Sequence, residues 1–165
     1  MKKITFVLAA TLGVMLFTAT SCKKKTETVT ETVYVDNTPA PGPPSLYTRL
    51  GGIAPISAVV DKFITNCASN AFIGPRFSTT ASDPYRLKYF RYNLIDQICA
   101  GSGGPCQYKG QTMLQAHTGM NLTNAEFDTL VGQLVKAMTF YNVPATEQND
   151  LATILLPMRS DIVGH

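Results

Sequence analysis

Of the two histidines in the chain, only His117 lies within a stretch able to fold; the other, His165, stands last in the sequence. His117 closes Met113-Leu114-Gln115-Ala116-His117, which follows a Gly-Gly-Pro turn at Gly103-Gly104-Pro105. No second interior histidine offers a catalytic dyad, and no Cys-x-x-Cys-His occurs to attach a cofactor covalently. A lone imidazole is well suited to be the single protein ligand on one side of an iron whose in-plane ligands come from a macrocycle.

Such a ligand needs a scaffold, and Ser45 to His165 can supply one. The spacing predicts a short turn over Leu46–Leu50 stopped by Gly51-Gly52, then a helix over 55–69 with Ile56, Val59, Val60, Phe63, Ile64 and Cys67 on one face. Residues 70–82 read as irregular. Asp83-Pro84 is an N-cap followed by proline at the first helical position. It opens a helix whose apolar face is Leu87, Phe90, Leu94, Ile95 and Ile98. A short helix over 111–118 holds His117. Thr123-Asn124-Ala125-Glu126 is a capping box, opening a helix with Phe127, Leu130, Val131, Leu134, Val135 and Met138 inward. A last helix over 146–161 has Pro157 as the point where it kinks or ends. The fold class is all-α.

Two further segments precede this domain. Met1-Lys2-Lys3 followed by the apolar run Ile4 to Ala19 reads as a secretory signal over residues 1–21. Ala19-Thr20-Ser21-Cys22 resembles a bacterial lipobox, with alanine where leucine is commoner. The resemblance implies cleavage before Cys22, lipidation of that cysteine, and an exported protein anchored to a bacterial membrane; an ordinary signal peptide leaving a free thiol is the alternative. Residues 22–45, rich in Thr, Glu and Pro, read as a tether spanning on the order of 25 Å as a coil and ~70 Å as polyproline-like chain. From Ser45 onward basic and acidic side chains nearly balance, which gives no argument for nucleic acid as a partner.

The order of the helices, with particular residues, resembles the truncated haemoglobins, most closely their first group, over Leu46 to Val163. The marks are Tyr47 to Gly52 at the opening, Phe63 in the second helix, Phe77, Arg86-Leu87-Lys88, Gly103-Gly104-Pro105 with Tyr108 and Gly110, Met113 four residues before His117, Leu122, Phe127, and Arg159 with Asp161-Ile162-Val163. The resemblance implies a two-over-two helical sandwich around haem b, with His117 as proximal ligand, Phe77 stacked on the macrocycle and Met113 beside it. It implies a distal wall of Leu87, Phe90, Leu94 and Ile95, with Phe63 and Ile64 of the second helix beside it and Leu122 and Phe127 completing the pocket.

Ile64 stands where the first group typically has a tyrosine that donates a hydrogen bond to the gas. Losing that donor costs a polar ligand about 1–3 kcal/mol. Arg91, four residues after Leu87, has three open readings: over the iron, paired with a haem propionate, or solvated on the surface. Cys99 and Cys106 bracket the glycine turn, and export favours a disulfide between them. Two thiols, or a pairing that involves Cys67, remain as alternatives. The function these residues imply is binding of small diatomic gases (O2, NO, CO) outside the cytoplasm. The alternative is a haem enzyme, either a nitric oxide dioxygenase or peroxidase-like, which would need an electron donor the sequence does not identify.

Overall fold

The computed structural model describes residues 42–165, so the expected signal and most of the expected tether, Cys22 included, lie outside the described residues. Eight α-helices follow in order among the described residues: α1 (Leu46–Arg49), α2 (Ile53–Ser69), α3 (Gly74–Ala81), α4 (Pro84–Gly101), α5 (Met113–His117), α6 (Asn124–Phe140), α7 (Ala145–Leu155) and α8 (Arg159–Ile162). No strand forms there; Leu122 and Val163 make one isolated parallel bridge.

Local chemistry sets the helix ends. Gly51 and Gly52 hold φ of 87° and 84°, a left-handed pair that stops α1 and turns the chain into α2. The Asp83 carboxylate accepts from the Tyr85 and Arg86 amides at 2.9 and 3.3 Å, capping α4 as its sequence predicts. Thr123 and Glu126 form the expected capping box on α6. A second box, not predicted from the sequence, caps α5: Thr112 Oγ1 accepts from the Gln115 amide, and the Gln115 side chain accepts from the Thr112 amide. For a helix of five residues this matters, because so few turns supply little cooperativity of their own.

One expectation needs correction. Residues 70–82 are not irregular, since α3 occupies most of them. Asn70 Oδ1 accepts from the Phe72 and Ile73 amides, and Pro75 sits in the first turn of α3, where its missing N–H costs nothing. The last predicted helix breaks at Pro157 as expected, into α7, a 3-10 turn over Leu156–Met158 that contains Pro157, and α8. Pro157 cannot donate to the ladder, and the turn tightens around it.

Helix α2 is the hub and packs against α3, α4 and α6. Its buried side chains Ile56, Val59, Val60, Phe63 and Cys67 meet Ile95 and Ile98 of α4, Ala137 and Met138 of α6, and Leu151 of α7 in one core. Arg49 on α1 donates to Glu147 at 2.8 Å and to Asp150, tying α1 to α7.

The core does not close everywhere. The inner faces of α4, α5, α6 and α7 stand around a cavity.

Candidate functional site

The cavity has a volume of about 490 Å³, within the usual ~300–1,000 Å³ of cofactor and ligand sites. Val60 and Phe63 of α2, Phe77 and Thr80 of α3, and Phe90, Asn93, Leu94 and Gln97 of α4 form one side. Met113, Ala116 and His117 of α5 form another, and α6 contributes Phe127, Leu130, Leu134 and Met138. Most of these groups are apolar. An apolar cavity of this size in a small domain leaves unfilled volume unless an apolar group enters it.

His117 sits half-buried on the wall. Its Nδ1 lies 2.7 Å from the Met113 carbonyl oxygen. A carbonyl only accepts, so Nδ1 carries the proton and Nε2 keeps its lone pair for a metal. The same bond fixes the ring's rotation about its own helix, the arrangement that orients metal-ligating imidazoles. Among the described residues no group of His, Cys, Asp and Glu could hold a metal ion unaided. The donor set therefore suits a metal that brings its other ligands with it, and haem fits: one oriented imidazole, an apolar slot, and aromatic rings at Phe77 and Phe90 whose centroids are 5.9 Å apart.

The structure brings most of the named residues together. His117, Phe77, Met113, Phe63, Phe90, Leu94, Leu122 and Phe127 all line the cavity. Four do not. Ile64, one residue past Phe63, is rotated ~100° around α2 and packs against the core instead; Phe63 holds the wall at that point. Leu87 and Ile95 do not line the cavity; Phe90 is the first α4 residue on its wall. Arg91 does not line the cavity. Its Nη2 donates to Asp61 Oδ2 at 2.8 Å and its Nε donates to Asp61 Oδ1, strapping α4 to the outside of α2. The Asp61 carboxylate holds the Arg91 pKa above its ordinary value.

Sequence reasoning missed several wall residues: Arg76, Asn93, Gln97, Tyr108, Met120 and Met158. Asn93 and Gln97 fall three and seven residues after Phe90, on its face of α4, so two amides interrupting an apolar stripe are the available signal. Gln97 Nε2 donates to the sulfurs of both Met113 and Met158, each at 3.3 Å. Arg76 Nε donates to Glu126 Oε1 at 2.7 Å and Nη1 donates to the Met120 carbonyl. That guanidinium, followed by the Thr123 amide and hydroxyl, pulls the Glu126 carboxyl down to about 2.

Cys99, at the end of α4, and Cys106 are joined by a disulfide, with Cα atoms 5.7 Å apart. Cys67 is a free thiol buried on the inner face of α2, and desolvation raises its pKa to about 12.

A family model described as bacterial-like globin matches residues 45–163. The chain belongs to that family. This globin is 30% identical over 122 residues to the group 1 truncated haemoglobin of Tetrahymena pyriformis, a match covering 74% of this chain and 97% of that one. With the group 1 truncated haemoglobin of Mycolicibacterium paratuberculosis it shares 28% over 120 residues, covering 73% of this chain and 85% of that one. The crystal structure of the Tetrahymena pyriformis protein in its Fe(III) form aligns with a TM-score of 0.67 at 26% identity, covering 74% of this globin and 100% of that chain. The 2/2 haemoglobin of Synechococcus, solved with covalently attached haem, aligns with a TM-score of 0.65 at 25% identity, covering 73% and 98%. The globin is thus a truncated one of group 1, with the two-on-two helical fold.

Proposed function

We propose that this globin binds haem b in the α4–α5–α6 cavity through His117, holds small diatomic gases there, and works outside the cytoplasm on a lipid anchor at Cys22. The observation that carries the reading is the His117 imidazole, its Nδ1 tied to the Met113 carbonyl at 2.7 Å and its Nε2 left with a free lone pair on the wall of an apolar cavity. The haem-bearing relative supports the cofactor.

Haem, when bound, supplies the open iron position at which a gas is held. The protein's own residues do the rest. His117 would hold the iron through Nε2. The rings of Phe77 and Phe90 would pack against the bound group, and Phe63 and Leu94 would exclude water from it. Asn93 is an uncharged donor on the α4 wall, in a surrounding that is otherwise largely hydrocarbon. Such a pocket favours neutral, weakly polar gases, CO and NO, relative to O2. The charged wall residues, Arg76 and Glu126, are already paired with each other. This leaves no free carboxylate or guanidinium on that wall among the described residues, which supports binding over peroxidase-like catalysis.

The test is a titration of the purified protein with haemin. Stoichiometric uptake with a Soret band is expected, and loss of tight uptake in His117→Ala. Full retention with an unchanged spectrum in that variant would overturn the reading. Incorporation of labelled fatty acid, abolished by Cys22→Ser, tests the anchor separately.

A further inference from the structure

Gln97 is a cavity residue whose side chain links three separate segments. It projects from the C-terminal half of α4. Its amide Nε2 lies 3.3 Å from Met113 Sδ, at the first position of α5, and 3.3 Å from Met158 Sδ, at the end of the 3-10 turn before α8. A polar amide on an otherwise apolar stripe is costly to bury unless its hydrogens are used. Here both acceptors are thioethers, weak ones by chemistry. The return for using them must be geometric more than energetic.

We propose that Gln97 is a positioning residue for His117. It holds the N-terminus of α5 to α4, and the Met113 carbonyl of that same N-terminal residue fixes the imidazole. The chain of contacts is continuous: Gln97 Nε2 to Met113 Sδ, the Met113 residue itself, Met113 O to His117 Nδ1. Helix α5 has few other restraints. It is five residues long, and at its ends the Ala116 amide donates to the Thr112 carbonyl and the Thr118 amide to the Leu114 carbonyl, each at 2.9 Å. Its other ties include the Thr112–Gln115 capping box, the Thr118 hydroxyl donating to the Leu114 carbonyl, the Met120 amide donating to the His117 carbonyl, and its packing against α8. Met158 immediately precedes α8, so the same amide also anchors the element against which α5 rests. One side chain thereby sets the register of the imidazole against both neighbouring segments.

The role deepens the haem-binding reading and rests on it for its functional consequence, but its structural half is measurable without haem. Gln97→Leu keeps the side chain's approximate volume and removes both donor hydrogens. Met113→Leu removes one acceptor. In the haem-free protein, amide hydrogen exchange at Ala116 and Thr118 is expected to speed up on the order of three- to tenfold in either variant, with the amides of α2 and α6 unchanged. The double variant should be no faster than Gln97→Leu alone, because that substitution already removes the link that Met113→Leu breaks. In the haem-loaded protein, Gln97→Leu should shift the iron–histidine stretching band in the resonance Raman spectrum and speed haem loss by a similar factor. A merely space-filling role for Gln97 would move neither the exchange at those two amides nor the Raman band.

Exchange at Ala116 and Thr118 within about twofold of the parent in Gln97→Leu, or additive effects in the double variant, overturns the proposal. Failure of the parent protein to take up haem would instead strike the functional reading and leave the α5 measurement standing. Should Gln97→Leu fold poorly, Met113→Leu alone carries the exchange test.

Discussion

Reducing the Cys99–Cys106 bond should lower the stability of the haem-free domain by an amount fixed mainly by loop length. The cysteines are seven residues apart, so the closed loop contains about eight residues. The loop-closure relation then gives a loss of about 2.5 kcal/mol at 25 °C. The native state should change little on reduction, because the loop is held by more than the bond. A Cβ placed on Gly104 would lie 2.5 Å from Tyr47 Cδ2 and 2.7 Å from Cys99 Sγ, so the backbone there already rests directly on both residues. The Gly104 amide also donates to the Cys99 carbonyl at 2.8 Å. Freedom is gained chiefly by the unfolded chain. For a domain near 120 residues, about 2.5 kcal/mol corresponds to a fall in Tm of about 7–10 °C. The assay is calorimetry of the haem-free protein with and without a phosphine reductant, repeated on the Cys99→Ser, Cys106→Ser double variant. The variant should melt where the reduced parent melts. Cys67 should not confuse the result, since its buried thiol, with a pKa raised to about 12, is not a competent nucleophile. Melting of the reduced protein within about 2 °C of the oxidised one would refute the reasoning, because the unfolded chain would then gain nothing from release.

Other outcomes follow from single contacts. Arg91→Ala should leave CO affinity within about twofold of the parent and cost less than about 1 kcal/mol, because the guanidinium serves an exposed ion pair with Asp61 and not the cavity; a large change in the CO-complex spectrum would return Arg91 to the distal side. Glu126 has its pKa lowered to about 2, so its ionised form contributes stability that is fully present above about pH 4.5 and is lost as pH falls through about 2. The stability gap between parent and Glu126→Gln, read from urea midpoints, should therefore shrink across that window; a gap unchanged between about pH 6 and about pH 2.5 would contradict the assignment. Thr123→Ala removes the acceptor for the Glu126 amide and should cost about 1 kcal/mol, read by the same urea method. Phe77→Ala should speed haem loss without abolishing uptake, which apomyoglobin capture would measure.

The helices are legible in the sequence where a periodic apolar face and a cap coincide. Asp83-Pro84 and Thr123 to Glu126 mark α4 and α6 because each pairs a side-chain acceptor with the amides it must satisfy. Helix α3 is not legible. Its eight residues Gly-Pro-Arg-Phe-Ser-Thr-Thr-Ala carry a glycine, a proline and a run of hydroxyl residues, and it is held by packing against α2 and α4. His117 can be picked out in the sequence because nothing else in the chain competes for its role. The distal side is harder to read. Periodicity tells which residues share a face, but not where along a helix a cavity begins or which of two neighbours, Phe63 or Ile64, meets it. For Arg91, a partner thirty residues earlier decides the rotamer, and no local pattern announces Asp61.

The Arg91–Asp61 strap has a mechanical meaning for how a rigid flat molecule gets in. The α2–α4 half of the domain is the better braced one, since α4 packs along α2 and the outer Arg91–Asp61 pair adds to that contact. The less braced side is the opposite one, where α5 is a single short turn and a proline interrupts the chain between α7 and α8. Loading and unloading of the pocket would then be governed by the same few residues that aim the imidazole.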